Sequence, residues 1–411
     1  MLQLSRATKS ALTTALLLPV LILVVLPAIH RHGYGDSKSK QESVSKSQLA
    51  SRSYPRPAVP MTVYTEESRN IEFSDMASTR QQPRPDQAGM NTLVVYAGRW
   101  KFLRILFPYV YRELRQNGGV LDRVWFMMIN YDKETHDNLV QLTQIANKNL
   151  NQSEEVFQLH FLGYPPGKQP PRNIGYTAPY YEMFAELMQK SSISNRYFKI
   201  DDDIVYIHPA TFKSIVERKN SQQCFLHSAN IVTNWRCNIK HQDLGIYKTS
   251  KEVNPKNLTF EFHPNGNCGW KSPECAELTL RTFLHYYHKG QLDKYQFEGL
   301  ELLNQRKRFS INFFLFDKDM INIKSMLEAG PIEKDDENWW SRTYAGKFKQ
   351  PNCIVGGGLA VHFSYFPTYQ KMLKSGLLRE FEAIVQKEVG SLMGDGLWRA
   401  LKFPEVHNKT L

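Results

Sequence analysis

Three consecutive aspartates, Asp201, Asp202 and Asp203, stand between two apolar runs, residues 196–200 and 204–207. Each carboxylate repels its neighbours, and a divalent cation bound among them removes that repulsion. Oxygen ligands of this kind suit Mg2+ or Mn2+. Side chains alternate along an extended segment, so Asp201 and Asp203 are expected to point one way, as ligands, and Asp202 the other. A solvated acidic turn is the alternative, and the apolar residues on both sides weigh against it.

Other candidate residues lie further along. Val355-Gly-Gly-Gly-Leu-Ala-Val-His-Phe-Ser364 sets a single histidine, His362, in an apolar strand, as a third metal ligand or as a satisfied core residue. Asn265-Gly-Asn-Cys-Gly-Trp270 offers Gly266 and Gly269, which permit either close backbone approach to a ligand or an ordinary tight turn. Asp335-Asp-Glu-Asn-Trp-Trp-Ser-Arg342 puts acidic residues ahead of an apolar pair, a pattern that also fits a helix N-terminus favoured by the macrodipole.

These residues need elements to position them. The β-rich run 92–97 ends at Gly98, and apolar spacing predicts a helix over 102–116. Strands over 123–129, 156–161 and 196–200 alternate with helices over 134–148 and 178–190. This is an α/β pattern: a Rossmann-like, mostly parallel sheet flanked by helices. Open sheets of that kind bind ligands beyond the carboxyl ends of their strands, and the aspartate triplet sits at such an end. Near the C-terminus, Leu373, Leu377, Phe381, Ile384 and Val385 predict one core-packing helix over 369–389.

The segment Tyr197-Phe-Lys-Ile-Asp-Asp-Asp-Ile-Val-Tyr resembles the DxD segment of glycosyltransferases with the GT-A fold. The resemblance covers about residues 91–390 and implies a nucleotide-sugar donor whose diphosphate meets Mn2+ or Mg2+ held by Asp201, Asp203 and His362. It implies nucleotide-sugar contacts from Tyr96, Gly98, Arg99 and Asp202, and from a glycine loop at Gly266 and Gly269. The acidic segment resembles that of inverting members, which places Asp336 at the base position beside Asp335. The usual Glu-Asp pair is Asp-Asp here, and the adjoining Glu337 leaves the register open by one.

Outside this domain, residues 11–29 form an uncharged apolar run of 19 residues, long enough for a helix to cross a bilayer. Arg6 and Lys9 precede it, and we expect an uncleaved signal anchor behind a short cytosolic tail, residues 1–10. Residues 30–88, rich in Ser, Gln, Lys, Arg and Pro, read as a disordered stem before a lumenal domain at 89–411. Sequons at Asn151, Asn257 and Asn408 fit a glycosylated lumenal chain. The net charge of +12 is dispersed, which argues against a nucleic-acid partner. The five cysteines, Cys224, Cys237, Cys268, Cys275 and Cys353, lack the spacing of a zinc site, and an oxidising lumen would favour a local disulfide between Cys268 and Cys275.

The expected function is a single-pass type II membrane glycosyltransferase of the Golgi, or of the endoplasmic reticulum. It would act on a glycan, protein or lipid acceptor, with inversion if Asp336 is the base. Two competitors use the same residues: a metal-dependent lumenal hydrolase or phosphodiesterase, and a GT-A-like module without turnover.

Overall fold

The computed structural model describes residues 89–403, apart from 129–130, 153, 162–193, 222–223, 248–269, 305–307, 319–335 and 366. The apolar run 11–29, the stem, the helix expected over 178–190, Asp335, Gly266, Gly269, Cys268, Asn257 and Asn408 lie outside the described residues. Among the described residues no helix is long and apolar enough to cross a membrane.

Strand β1 (Met90–Ala97) is a β-branched and aromatic run that is buried almost throughout. It feeds helix α1 (Trp100–Arg112), whose apolar residues, from Trp100 to Tyr111, pack into the core. Strand β2 (Arg123–Met128), helix α2 (Lys133–Leu150) and strand β3 (Phe157–Phe161) repeat the unit. Asp132 caps α2 by accepting from the Thr135 amide at 2.8 Å. Asn151 closes that helix in the left-handed conformation, with φ of +47°, and is exposed.

Strand β4 (Ser194–Asp201) returns to the other side of β1 and runs parallel to it, so the strand order reverses between β1 and β4. Beyond it the sheet continues through β5 (Ile204–Ile207), β6 (His227–Val232), β7 (Leu300–Leu303), β8 (Phe313–Asp317) and β9 (Asn352–His362). The order is β3-β2-β1-β4-β8-β6-β9-β5, with β7 also on β9. Strands β1, β2, β3, β4, β6 and β9 share one direction, and β5, β7 and β8 run against it. The sheet is therefore mixed: the expected parallel pairing holds over β3-β2-β1-β4 and again between β6 and β9, and β5, β7 and β8 pair antiparallel. Antiparallel β8, wedged between β4 and β6, breaks the parallel run.

Strand β6 is buried along its whole length and β9 nearly so, as strands covered on both faces must be. Helix α3 (Thr211–Ser221) lies against β9, β6 and β8. A Cβ on Gly356 would sit 1.9 Å from the Phe297 carbonyl oxygen, and one on Gly358 would press on Ile215 of α3 at 3.2 Å, so the glycine run permits this close packing. A disulfide joins Cys224, ahead of β6, to Cys353 in β9; Cys275 is also disulfide-bonded, and Cys237 is a buried free thiol. The helix expected over 369–389 is two helices, α5 (Tyr369–Lys374) and α6 (Leu377–Ala400). Gly376, with φ of +79°, ends the first, as a left-handed C-terminal glycine does.

Helix α4 (Trp235–Asp243) is fixed to β6 through a buried polar cluster. His241 Nε2 donates to Asn230 Oδ1 at 2.7 Å, and the Asn230 amide donates to the Tyr295 carbonyl at 2.7 Å. Burial pushes the His241 imidazole down to about 3, so it folds neutral. The unfolded chain protonates this histidine near pH 6.5, so between about pH 6.5 and 3 the unfolded state holds the extra proton. Lowering pH through that window should cost about 1.4 kcal/mol per unit from His241 alone. Urea unfolding across pH should show this component, and His241→Gln should remove it.

Candidate metal and donor site

The carboxyl ends of β1, β4, β6 and β9 bring Gly98, Asp201, Thr233 and His362 to one edge of the sheet. The start of β8 adds Asn312 there. This is the crevice at which the strand order reverses, the usual place for a ligand in such a sheet.

The aspartate triplet divides at this edge. Asp201 ends β4; its Oδ2 accepts from the Asn312 amide at 3.1 Å, and its Oδ1 is paired with the ammonium of Lys199. That lysine is buried, donates to the Ile311 carbonyl at 2.9 Å and lies 4.8 Å from the centre of the Tyr96 ring. Asp202 faces the end of β1: its Oδ2 accepts from the Gly98 and Arg99 amides at 3.0 and 2.8 Å, and its Oδ1 pairs with the Arg99 guanidinium. Arg99 stands at the start of α1 without a side-chain cap of its own, so Asp202 supplies from another strand the acceptor that this helix start lacks.

Asp203 faces His362. Its Oδ2 is 2.9 Å from the Arg99 guanidinium and its Oδ1 is 3.2 Å from His362 Nε2. That second contact lacks hydrogen-bond geometry, so Asp203 Oδ1 is a buried oxygen without a donor. Burial alone would raise both carboxyls; it does raise Asp202, whereas Arg99 and His362 hold Asp203 below the ordinary range.

Ligand atoms of Asp201, Asp203 and His362 all lie within 4.8 Å of one another. A cation with ligands at about 2.1 Å can span that set after small side-chain adjustments. Two carboxylates and one imidazole suit Mn2+ better than an all-oxygen set would, and the donorless Asp203 oxygen is what a cation ligand requires.

The remaining expected residues fall around this group. Tyr96 is opposite Asp201 in the β1–β4 register, and its phenol is pushed up by burial and then by the charges of Asp336 and Asp201. Asp336 therefore acts on the same phenol as Asp201, while lying outside the three-ligand group. It opens a short helix, Asp336–Asn338, that widens into a π-helix over Trp339–Tyr344. Asp336 Oδ1 accepts from the Glu337 amide at 2.9 Å, and Glu337 pairs with Arg308 at 2.6 Å. Tyr365, edge-on to His362 at 4.7 Å, donates to Ser310 at 3.0 Å, and the Trp270 ring is 5.8 Å from the Tyr365 ring.

Lys199, Asn312 and Thr233 did not emerge from the sequence as site residues. Lys199 sits in the quoted DxD segment, and a charge at an inward position of an otherwise apolar strand was the available signal.

No protein-family model matches this chain, and no curated protein does. Solved structures give distant likenesses. One is GalNAc-T7 with UDP, GalNAc and Mn2+: 9% identity, 67% of this chain, 44% of that one, TM-score 0.35. The chain thus spans less than half of the GalNAc-T7 chain. A second is glucosyl-3-phosphoglycerate synthase from Mycobacterium tuberculosis with Mn2+, UDP-glucose and phosphoglyceric acid: 10% identity, 74% and 80% covered, TM-score 0.31. A third is 4-diphosphocytidyl-2C-methyl-D-erythritol synthase from Anaerococcus prevotii: 8% identity, 72% and 97% covered, TM-score 0.31. Scores of this size do not establish a shared fold, and the reading of the site rests on its geometry.

Removing Asp202 strands two backbone amides and one guanidinium. Asp202→Ala should destabilise the fold by about 3 kcal/mol, and Asp202→Asn, which keeps an acceptor for the amides, by about half that. Urea unfolding at neutral pH measures both.

Proposed function

We propose that this chain is a metal-dependent glycosyltransferase that moves a sugar from a nucleotide-sugar donor. The observation that carries the reading is the convergence of Asp201, Asp203 and His362 at the β1–β4 crevice, with the Asp203 oxygen left without a donor. The resemblance of the DxD segment to GT-A enzymes supports it.

When bound, the divalent cation neutralises charge on the departing diphosphate. This chain's residues do the rest. Asp201, Asp203 and His362 hold the cation; Lys199 and Asn312 fix Asp201; Asp202 fixes the Gly98–Arg99 turn beneath the donor. Asp336, whose charge acts on the Tyr96 phenol, takes the proton of the acceptor hydroxyl as that oxygen attacks, which makes the transfer inverting. The acceptor is a glycan, protein or lipid of the secretory pathway. Residues 11–29 anchor the chain as a type II protein of the Golgi or endoplasmic reticulum, and residues 30–88 form the stem. The Cys224–Cys353 disulfide supports an oxidising compartment.

Thermal-shift measurements on the full chain with UDP-, GDP- and CMP-sugars, with and without Mn2+, test this reading. One nucleotide class should raise Tm by a few degrees only with metal, as ligand at about 100 times Kd adds about 2.7 kcal/mol. Asp201→Ala with Asp203→Ala should abolish the shift. A shift that survives the double substitution, or no metal-dependent shift at all, overturns the reading. Donor hydrolysis that is independent of any acceptor would mark a metal-dependent hydrolase instead.

A further inference from the structure

Thr233 has φ of +74°, in the left-handed region that a β-branched residue rarely enters. It lies in a tight turn between β6 and α4, where the Asn234 amide donates to the Ile231 carbonyl at 3.2 Å. Asn234 then caps α4 by accepting from the Arg236 amide at 3.1 Å, and its own amide donates to the Ser310 carbonyl at 2.8 Å. Glycine or asparagine would make this turn with little strain, so the backbone alone does not explain a threonine here.

The hydroxyl does. Thr233 Oγ1 lies 2.5 Å from the His362 carbonyl oxygen, a separation that requires the hydroxyl proton to lie between them. The same Oγ1 lies 3.3 Å from His362 Nδ1. Its only proton being given to the carbonyl, Oγ1 can only accept from that nitrogen, so Nδ1 carries the hydrogen. When the ring is neutral it therefore presents a lone pair at Nε2, the atom 3.2 Å from the donorless Asp203 Oδ1. In that form two acceptors face each other without a proton between them, an arrangement that a cation would bridge.

We propose that Thr233 is a positioning residue of the metal centre: its hydroxyl fixes the His362 tautomer and ring so that Nε2 serves as a ligand, and the strained turn is kept for that purpose. The assignment rests on the metal-site reading above. It predicts that metal affinity and stability separate at this position, which a purely structural threonine would not allow.

The test is Mn2+ titration of the full chain, read by the electron paramagnetic resonance of free Mn2+, alongside urea unfolding. Thr233→Ser should bind within about threefold of the unsubstituted chain, and Thr233→Val and Thr233→Gly about 10- to 100-fold more weakly. Thr233→Gly should also raise the urea midpoint. Nitrogen-15 shifts of His362 should show a protonated Nδ1 in the metal-free chain and a mixture of tautomers in Thr233→Val. Mn2+ binding unchanged by Thr233→Val overturns this assignment alone, as does a Thr233→Gly chain that loses affinity and stability together. No Mn2+ binding by the unsubstituted chain, or binding unaffected by Asp201→Ala with Asp203→Ala, overturns the metal reading and this assignment with it.

Discussion

The Asp202 carboxylate ties two distant segments into one edge. It comes from the end of β4, yet it accepts the amides of Gly98 and Arg99 and the Arg99 side chain, about a hundred residues earlier in the chain. A buried carboxylate is tolerated only where such partners meet it, and an uncapped helix start is tolerated only where an acceptor arrives. Each defect answers the other. The pairing ties the turn after β1 to the turn after β4, and the Arg99 side chain held there also reaches Asp203. Lys199 plays the same part under Asp201, so each of the three adjacent carboxylates is approached by a fixed cation.

The other wall of the crevice follows a different rule. Strand β6 carries His227, Ser228 and Asn230 into a fully buried setting, and the turn after it delivers Thr233 and Asn234. Polar groups in such a place persist when they are hydrogen-bonded, and Asn230, Thr233 and Asn234 all are. This wall is specified by polar pairing where the first is specified by charge.

That difference explains what the sequence disclosed. The units around β1, β2 and β3 are continuous apolar runs separated by clear helical spacing, and they were legible with bounds displaced by a few residues. The aspartate triplet was legible because like charges at a strand end need a cause. Strands β6, β7 and β8 were missed. His227-Ser-Ala-Asn-Ile-Val reads as polar, β7 has only four residues, and antiparallel partners drawn from distant segments leave no local period. Thr233 was invisible because nothing in a Val-Thr-Asn-Trp stretch announces a positive φ. The break at Gly376 was a matter of backbone conformation within a helical pattern, and the pattern alone ran through it.

Strand β9 serves two neighbours in succession on one side, β7 at its start and β5 at its end. Between them its register against β6 jumps from Ala229 opposite Val355 to Asn230 opposite Leu359, which leaves Gly356, Gly357 and Gly358 unmatched. Paired residues share a face of the sheet, so the three unmatched glycines shift the register and bring Val361 opposite Val232, at the end of β6. His362 thereby shares an edge with Thr233. The length of the glycine run thus guards the register: a change that the unpaired run did not absorb would slide His362 along β6 by one residue and turn it to the opposite face of the sheet, with every ligand still present in the sequence.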